Sequence, residues 1–222
     1  GIALAMIGAC KGYEVQIVMS EGMSSERKTM LRTLGAKLIL TDRKLGTGGA
    51  IKKAKELIKA SPDLYWFSNQ FNNPDNVEAH YNGIAKEILN EVKNIDYLFA
   101  GAGTSGTIIG IAKRFKKESQ KTRVVGVFPP GGYQIQWIQN PKEDFIGKIY
   151  DENLLDELVQ VTKDEAYAMS RNIAKEEGVF VGMSSGAALA AAVKKAESLQ
   201  FGNIVVIIPD RGEKYLSTQL FA

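Results

Sequence analysis

Residues 96–117 have the sequence "DYLFAGAGTSGTIIGIAKRFKK". An apolar run ends at Gly101, glycines and hydroxyl residues fill positions 103–107, and a helical pattern covers Ile108–Lys117. This order predicts a strand, a tight turn and a helix. In such a turn the glycines let successive N–H groups point into one concavity, and the helix N-terminus adds partial positive charge. We therefore predict that this 103–107 loop binds a phosphate group.

Other interpretations of the 103–107 loop remain open. The P-loop pattern does not apply, because Thr107 stands where that pattern needs a lysine. The letters "GAGTSG" match the G-x-G-x-x-G spacing of dinucleotide-binding loops, and a tight turn without any ligand has the same composition. A second such segment, "GMSSG" at 182–186, lies between a predicted strand and a predicted helix. There, Ser184 and Ser185 are candidates either for ligand contacts or for simple helix capping.

Strand and helix patterns alternate along the chain, which predicts an α/β protein with parallel sheets and helical crossovers. The predicted strands cover residues 14–20, 37–41, 64–68, 97–101, 123–128, 158–162, 179–181 and 203–210. The predicted helices cover residues 2–10, 25–34, 46–61, 77–92, 108–117 and 164–177, and a last one begins at 187. The turn-rich segment "QFNNPDN" (70–76) interrupts the alternation and indicates a hinge between two α/β units. The long segment 129–153 is typical of a loop that covers a functional site or of an insertion.

Composition excludes several classes of function. The 222 residues include 28 basic and 25 acidic ones, a balance that argues against nucleic-acid binding. A single cysteine, Cys10, excludes a disulfide framework, and we expect it to be buried in the apolar helix 2–10. The lone histidine, His80, has no cluster of possible ligands around it, so we expect no metal site. No apolar run is long enough for a membrane span, and we expect a soluble cytoplasmic protein.

Several segments together resemble one enzyme family along the whole chain. They are "GIALAMIGACKGY", "MSSERKTMLRTLGAKLILT", "QFNNPDNVEAHY", "GTSGT", "EEGVFVGMSSGAA" and "DRGEKYLST". They are similar to cysteine synthase (O-acetylserine sulfhydrylase), a pyridoxal-phosphate enzyme of fold type II, and most of all to its B isozyme. The resemblance implies two open parallel-sheet α/β domains of the tryptophan synthase β kind. We assign 1–73 to a smaller mobile domain and 74–222 to a larger cofactor-binding domain.

The resemblance also assigns roles to individual residues. The residues that match the family's cofactor-phosphate loop are Gly103, Thr104, Ser105, Gly106 and Thr107. Ser184 matches the serine that faces the pyridine nitrogen of the cofactor, where a neutral hydroxyl makes the ring a weaker electron sink than a carboxylate would. Gln70 matches a glutamine near the substrate carboxylate. Asp210 and the tail to Thr218 match the strand end that closes the site near Ser184.

Two departures from the family pattern bear on catalysis. The lysine that forms a Schiff base with the cofactor precedes an S-G-N-T-G loop in the family, and Gly1 matches the last glycine of that loop. We therefore expect that this lysine is not among the 222 residues, that the chain corresponds to the C-terminal part of the enzyme, and that it is inactive alone. In addition, "HYNGIAKEIL" lacks the Thr-Thr-Gly-Pro that usually follows His-Tyr in the family.

The function implied by the resemblance is that of a transferase in cysteine biosynthesis. Sulfide would replace the β-substituent of O-acetylserine or O-phosphoserine and give L-cysteine, in a homodimer. Two alternatives remain open. One is a sister activity: cystathionine β-synthase, cysteine desulfhydrase or addition of an amine at the same carbon. The other is a non-catalytic fragment.

Overall fold

The computed structural model describes residues 1–131, 135–136, 138–140 and 147–222. The chain divides into two compact units, one formed by residues 1–67 with 213–222 and the other by residues 68–212. No helix in the described part of the chain is long and apolar enough to cross a bilayer.

The first unit is a small parallel α/β structure. Its elements are α1 (Ile2–Lys11), β1 (Gln16–Ser20), α2 (Ser25–Thr33), β2 (Lys37–Thr41) and α3 (Gly46–Ala60). The two strands are parallel, with Gln16 beside Lys37 at one end. Ala5, Leu31 and Ala36 form the buried centre of this unit. The predicted parallel crossover is confirmed.

The C-terminal tail, residues 213–222, belongs to the first unit. Arg27 is buried, donates to the Lys214 carbonyl at 3.1 Å and lies 4.2 Å from the ring centroid of Tyr215. Glu26 accepts the N–H of Ser217 at 2.6 Å. The predicted domains, 1–73 and 74–222, therefore differ from these two units. The tail joins the first unit through these contacts, and residues 68–73 join the second.

The second unit contains a four-stranded parallel sheet in the order β5-β4-β3-β6. Its elements are α4 (Pro74–Asn82), α5 (Ile84–Glu91), β3 (Ile95–Gly101), α6 (Gly106–Glu118), β4 (Arg123–Phe128), β5 (Glu157–Gln160), α7 (Lys163–Glu176), α8 (Met183–Ala196) and β6 (Asn203–Val206). The core lies between this sheet and its helices and includes Leu98, Ile109, Phe115 and Val124. Because β3 is central and all strands are parallel, the loops after β3, β4 and β6 leave the same edge of the sheet.

Several predicted elements differ from the structure. Residues 64–68 form no strand, and the predicted helix 77–92 is two helices, α4 and α5. The break is at Gly83, whose backbone (φ −93°, ψ −108°) is not helical. The last helix begins at Met183 rather than at 187. Cys10 is exposed, and only Ala5 and Gly8 are buried in α1, so the prediction of an all-round buried helix was wrong for the described chain.

Candidate active site

The 103–107 loop connects the end of the central strand β3 to the start of α6. Ser105 has a left-handed backbone (φ +73°) and occupies the N-cap position of α6 without capping it through its side chain. No hydrogen bond in the described structure uses the N–H groups of Thr107 and Ile108. A left-handed residue ahead of a helix turns successive N–H groups toward one point, which is a favourable arrangement for an anion.

The hydroxyl groups of the loop are held from helix α4. Thr104 Oγ1 accepts a hydrogen bond from Asn76 Nδ2 at 3.0 Å, and Thr107 Oγ1 lies 3.1 Å from His80 Nε2. His80 is half-buried, and burial lowers the pKa of its imidazole. The ring is therefore neutral at neutral pH and adds no positive charge of its own. The loop can bind a phosphate through backbone N–H groups and hydroxyls, without a lysine or arginine.

Ser184 lies in the first turn of α8, beside the end of β3. A Cβ built on Gly101 would lie 3.9 Å from the Ser184 carbonyl oxygen. The Ser184 side chain is 3 % exposed, and its Oγ has no hydrogen-bond partner among the described residues. A buried hydroxyl without a partner costs about 1–3 kcal/mol, so a ligand atom that bonds to it would recover that energy. The position fits a ring nitrogen, as the resemblance implies.

Asp210 follows β6 and caps α8 from outside the helix. Its carboxylate accepts the N–H of Ser185 at 3.0 Å and that of Ser184 at 3.4 Å. Ser185 Oγ also bonds to this carboxylate, and the Ser185 side chain does not cap its own helix, which was one of the two roles considered for it from the sequence. The carboxylate fixes the backbone of the first turn of α8, and Ser184 keeps its hydroxyl free.

Gln70 lies on the surface of the second unit, in the turn before α4. Its backbone carbonyl accepts a hydrogen bond from Asn76 Nδ2 at 2.8 Å, while its side chain makes no hydrogen bond in the described structure. Its role near a substrate carboxylate stays a prediction, as does the expectation that the lysine carrying the cofactor is not among the 222 residues. Residues 132–134, 137 and 141–146 of the predicted cover loop lie outside the described residues. Among the described residues, no group of three or more His, Cys, Asp or Glu could hold a metal ion.

Sequence reasoning identified the glycine loops and, through the resemblance, placed Asp210 near Ser184. It missed the side chain of Asn76 and the capping role of the Asp210 carboxylate. For Asp210 a sequence pattern was present, since it follows a strand predicted to end at the same sheet edge as the 103–107 loop. For Asn76 no pattern was present: it lies 28 residues from Thr104, and only the packing of α4 against α6 brings them together.

The 103–107 loop offers N–H groups that have no acceptor among the described residues, and Ser184 offers a buried hydroxyl that has no partner among them. The family model described as "Pyridoxal-phosphate dependent enzyme" matches residues 1–210. The chain belongs to this family of pyridoxal-phosphate dependent enzymes, and the free Ser184 hydroxyl and the 103–107 loop fit that cofactor.

Within this family, the chain is similar to cysteine synthases and to hydrogen sulfide-producing enzymes. Cysteine synthase of Aquifex aeolicus is 41% identical over all of this chain and 70% of its own length. The crystal structure of cysteine synthase from Entamoeba histolytica superimposes with a TM-score of 0.90 at 39% identity, over 99% of this chain and 68% of that one. A hydrogen sulfide-producing enzyme of Fusobacterium nucleatum matches with a TM-score of 0.88 at 39% identity, over 100% and 70% of the two chains.

Proposed function

We propose that this protein replaces the β-substituent of O-acetylserine or O-phosphoserine with sulfide and so makes L-cysteine, with pyridoxal phosphate as cofactor. One observation carries the proposal: Ser184 is buried, and its neutral hydroxyl has no partner among the described residues, as a contact to the ring nitrogen of the cofactor would require. When bound, pyridoxal phosphate supplies an electron sink at the substrate α-carbon. A neutral ring partner keeps that sink weak, which favours loss of a β-substituent over reactions that need a long-lived carbanion.

The residues of this chain would bind the cofactor and the substrate and hold them in position. The N–H groups of Thr107 and Ile108 would hold the cofactor phosphate, and the Ser184 hydroxyl would bond to the ring nitrogen. We further propose that Gln70 contacts the substrate carboxylate, that the protein is a homodimer and that it works in the cytoplasm. The single cysteine in 222 residues agrees with a reducing compartment.

The test is product analysis with the intact protein and pyridoxal phosphate. O-acetylserine and O-phosphoserine are each offered with sulfide, and cysteine is quantified against a cofactor-only control. Enzymatic formation of cysteine from either substrate is the expected result. No cysteine above the control, in protein that shows bound cofactor, would refute the proposed activity.

A second candidate is release of hydrogen sulfide from cysteine, because an enzyme named for that product matches as well as the cysteine synthases do. The same protein is incubated with cysteine alone, and sulfide is measured. Faster sulfide release than cysteine synthesis would favour this second function.

A further inference from the structure

Asn76 connects two separate parts of the candidate site. It lies in the first turn of α4, and its side-chain nitrogen is 2.8 Å from the Gln70 carbonyl oxygen and 3.0 Å from Thr104 Oγ1. A carbonyl oxygen can only accept a hydrogen bond, so the group that faces Gln70 must be the NH₂ end of the amide. With one N–H on Gln70, the other N–H is directed at Thr104.

This orientation decides what the Thr104 hydroxyl can do. A hydroxyl has two acceptor lone pairs and one proton to donate. Thr104 Oγ1 accepts from Asn76 and also lies 3.4 Å from the Gly106 nitrogen. With its acceptor positions used in this way, the hydroxyl directs its own proton away from Asn76. It then acts as a donor, which is what a phosphate oxygen requires.

Gly106 gives independent evidence that the amide is part of the loop. A Cβ at position 106 would lie 2.1 Å from Asn76 Oδ1 and 2.4 Å from Asn76 Cγ. The glycine therefore leaves the space that Asn76 fills, and the amide packs directly against the turn of the loop.

We propose that Asn76 is a positioning residue that makes Thr104 a hydrogen-bond donor toward the cofactor phosphate and ties this loop to the Gln70 turn. The proposal rests on the proposed cofactor site. Because the proposed role concerns only the phosphate, a change at Asn76 should alter the affinity for pyridoxal phosphate but not the affinity for pyridoxal, which lacks the phosphate.

The experiment measures affinity for both compounds by equilibrium dialysis of the intact protein. Asn76→Asp has nearly the same shape, but its carboxylate can only accept, so the Thr104 proton turns inward and a negative charge stands beside the phosphate. We expect the affinity for pyridoxal phosphate to fall at least tenfold and that for pyridoxal to change less than twofold. Asn76→Ala removes both hydrogen bonds without adding charge. It should lower the affinity for pyridoxal phosphate less than Asn76→Asp does, and it should likewise change the affinity for pyridoxal less than twofold.

Asn73→Asp is the matched control. Asn73 caps the same helix, with its side chain accepting the N–H of Asp75 at 3.0 Å, and aspartate is an equally good cap. This variant makes the same change of charge at the same helix, and we expect less than a twofold effect on either compound.

The outcomes separate the two proposals. If both Asn76 variants bind pyridoxal phosphate within twofold of the unaltered protein, or lose pyridoxal affinity to the same extent, the role of Asn76 is wrong. That role is also wrong if Asn73→Asp weakens phosphate-dependent binding as much as Asn76→Asp does. If the unaltered protein binds no pyridoxal phosphate, the proposed function fails, and this inference fails with it.

Discussion

Replacing Asp210 tests whether the start of α8 depends on a carboxylate from outside the helix. Asp210 is 7 % exposed and accepts the N–H groups of Ser184 and Ser185, which are themselves buried. In Asp210→Ala these two N–H groups lose their acceptor. The Ser185 hydroxyl keeps a second acceptor, the backbone carbonyl of residue 210 at 3.2 Å, so its loss is small.

The expected cost follows from these contacts. A hydrogen bond to a charged group contributes about 1.5–3 kcal/mol, and one of the two N–H distances is long. Removal of a buried charge returns part of the loss, since its desolvation is no longer required. We therefore expect Asp210→Ala to lower the free energy of unfolding by about 2–3 kcal/mol, or the melting temperature by about 4–12 °C for a chain of this size. Asp210→Asn, whose amide oxygen can still accept one N–H, should lose about half as much.

Urea unfolding of the cofactor-free protein is the assay. Asp151→Ala is the control, because Asp151 is exposed and caps only a short 3₁₀ turn through the N–H of Asn153. We expect a loss below about 1 kcal/mol for that variant. An Asp210→Ala protein whose stability lies within about 0.5 kcal/mol of the unaltered protein would show that the α8 start does not depend on this carboxylate.

Three further predictions concern single side chains. Ser184→Ala should leave the cofactor-free protein at least as stable as before, because it removes a buried hydroxyl that has no partner among the described residues. The same substitution should change the absorbance of bound pyridoxal phosphate, and unchanged spectra would contradict the ring contact. Ser105→Val should lower the free energy of unfolding by about 2 kcal/mol more than Ser105→Gly does, since Ser105 has a left-handed backbone that a β-branched residue resists, and urea unfolding of both variants measures the difference. Hydrogen bonds from Lys194 and then from Thr162 lower the pKa of Glu165 to about 2, so its contribution to stability is present above pH 4.5 and is lost as the pH falls toward 2. Glu165→Gln should therefore differ in stability from the unaltered protein at pH 6 and much less at pH 2.5, and a pH-independent difference would contradict this.

The sequence predicted the elements whose signals are local. The strand β3, the loop and the helix α6 were predicted correctly, because an apolar run, a glycine turn and a helical pattern follow one another within 22 residues. The start of α8 at Met183 was predicted too late, because the carboxylate that caps this helix, Asp210, lies 25 residues from Ser185 and supplies no local capping pattern. The burial of Cys10 was wrong for a related reason. Apolar composition shows that a helix can be buried, but not which of its faces other elements cover.

The two glycine-hydroxyl loops show why the structure was needed to assign the site. "GTSGT" and "GMSSG" have nearly the same composition, and both precede a helix whose N-terminus carries partial positive charge. At α6 no side chain caps the helix, and the N–H groups of Thr107 and Ile108 have no acceptor in the described structure. At α8 the Asp210 carboxylate already occupies the corresponding N–H groups and offsets the partial charge. An anion is therefore favoured at α6 and disfavoured at α8, where the remaining binding group is the uncharged Ser184 hydroxyl. This difference supports the proposed orientation of the cofactor, with its phosphate at the 103–107 loop and its ring nitrogen at Ser184.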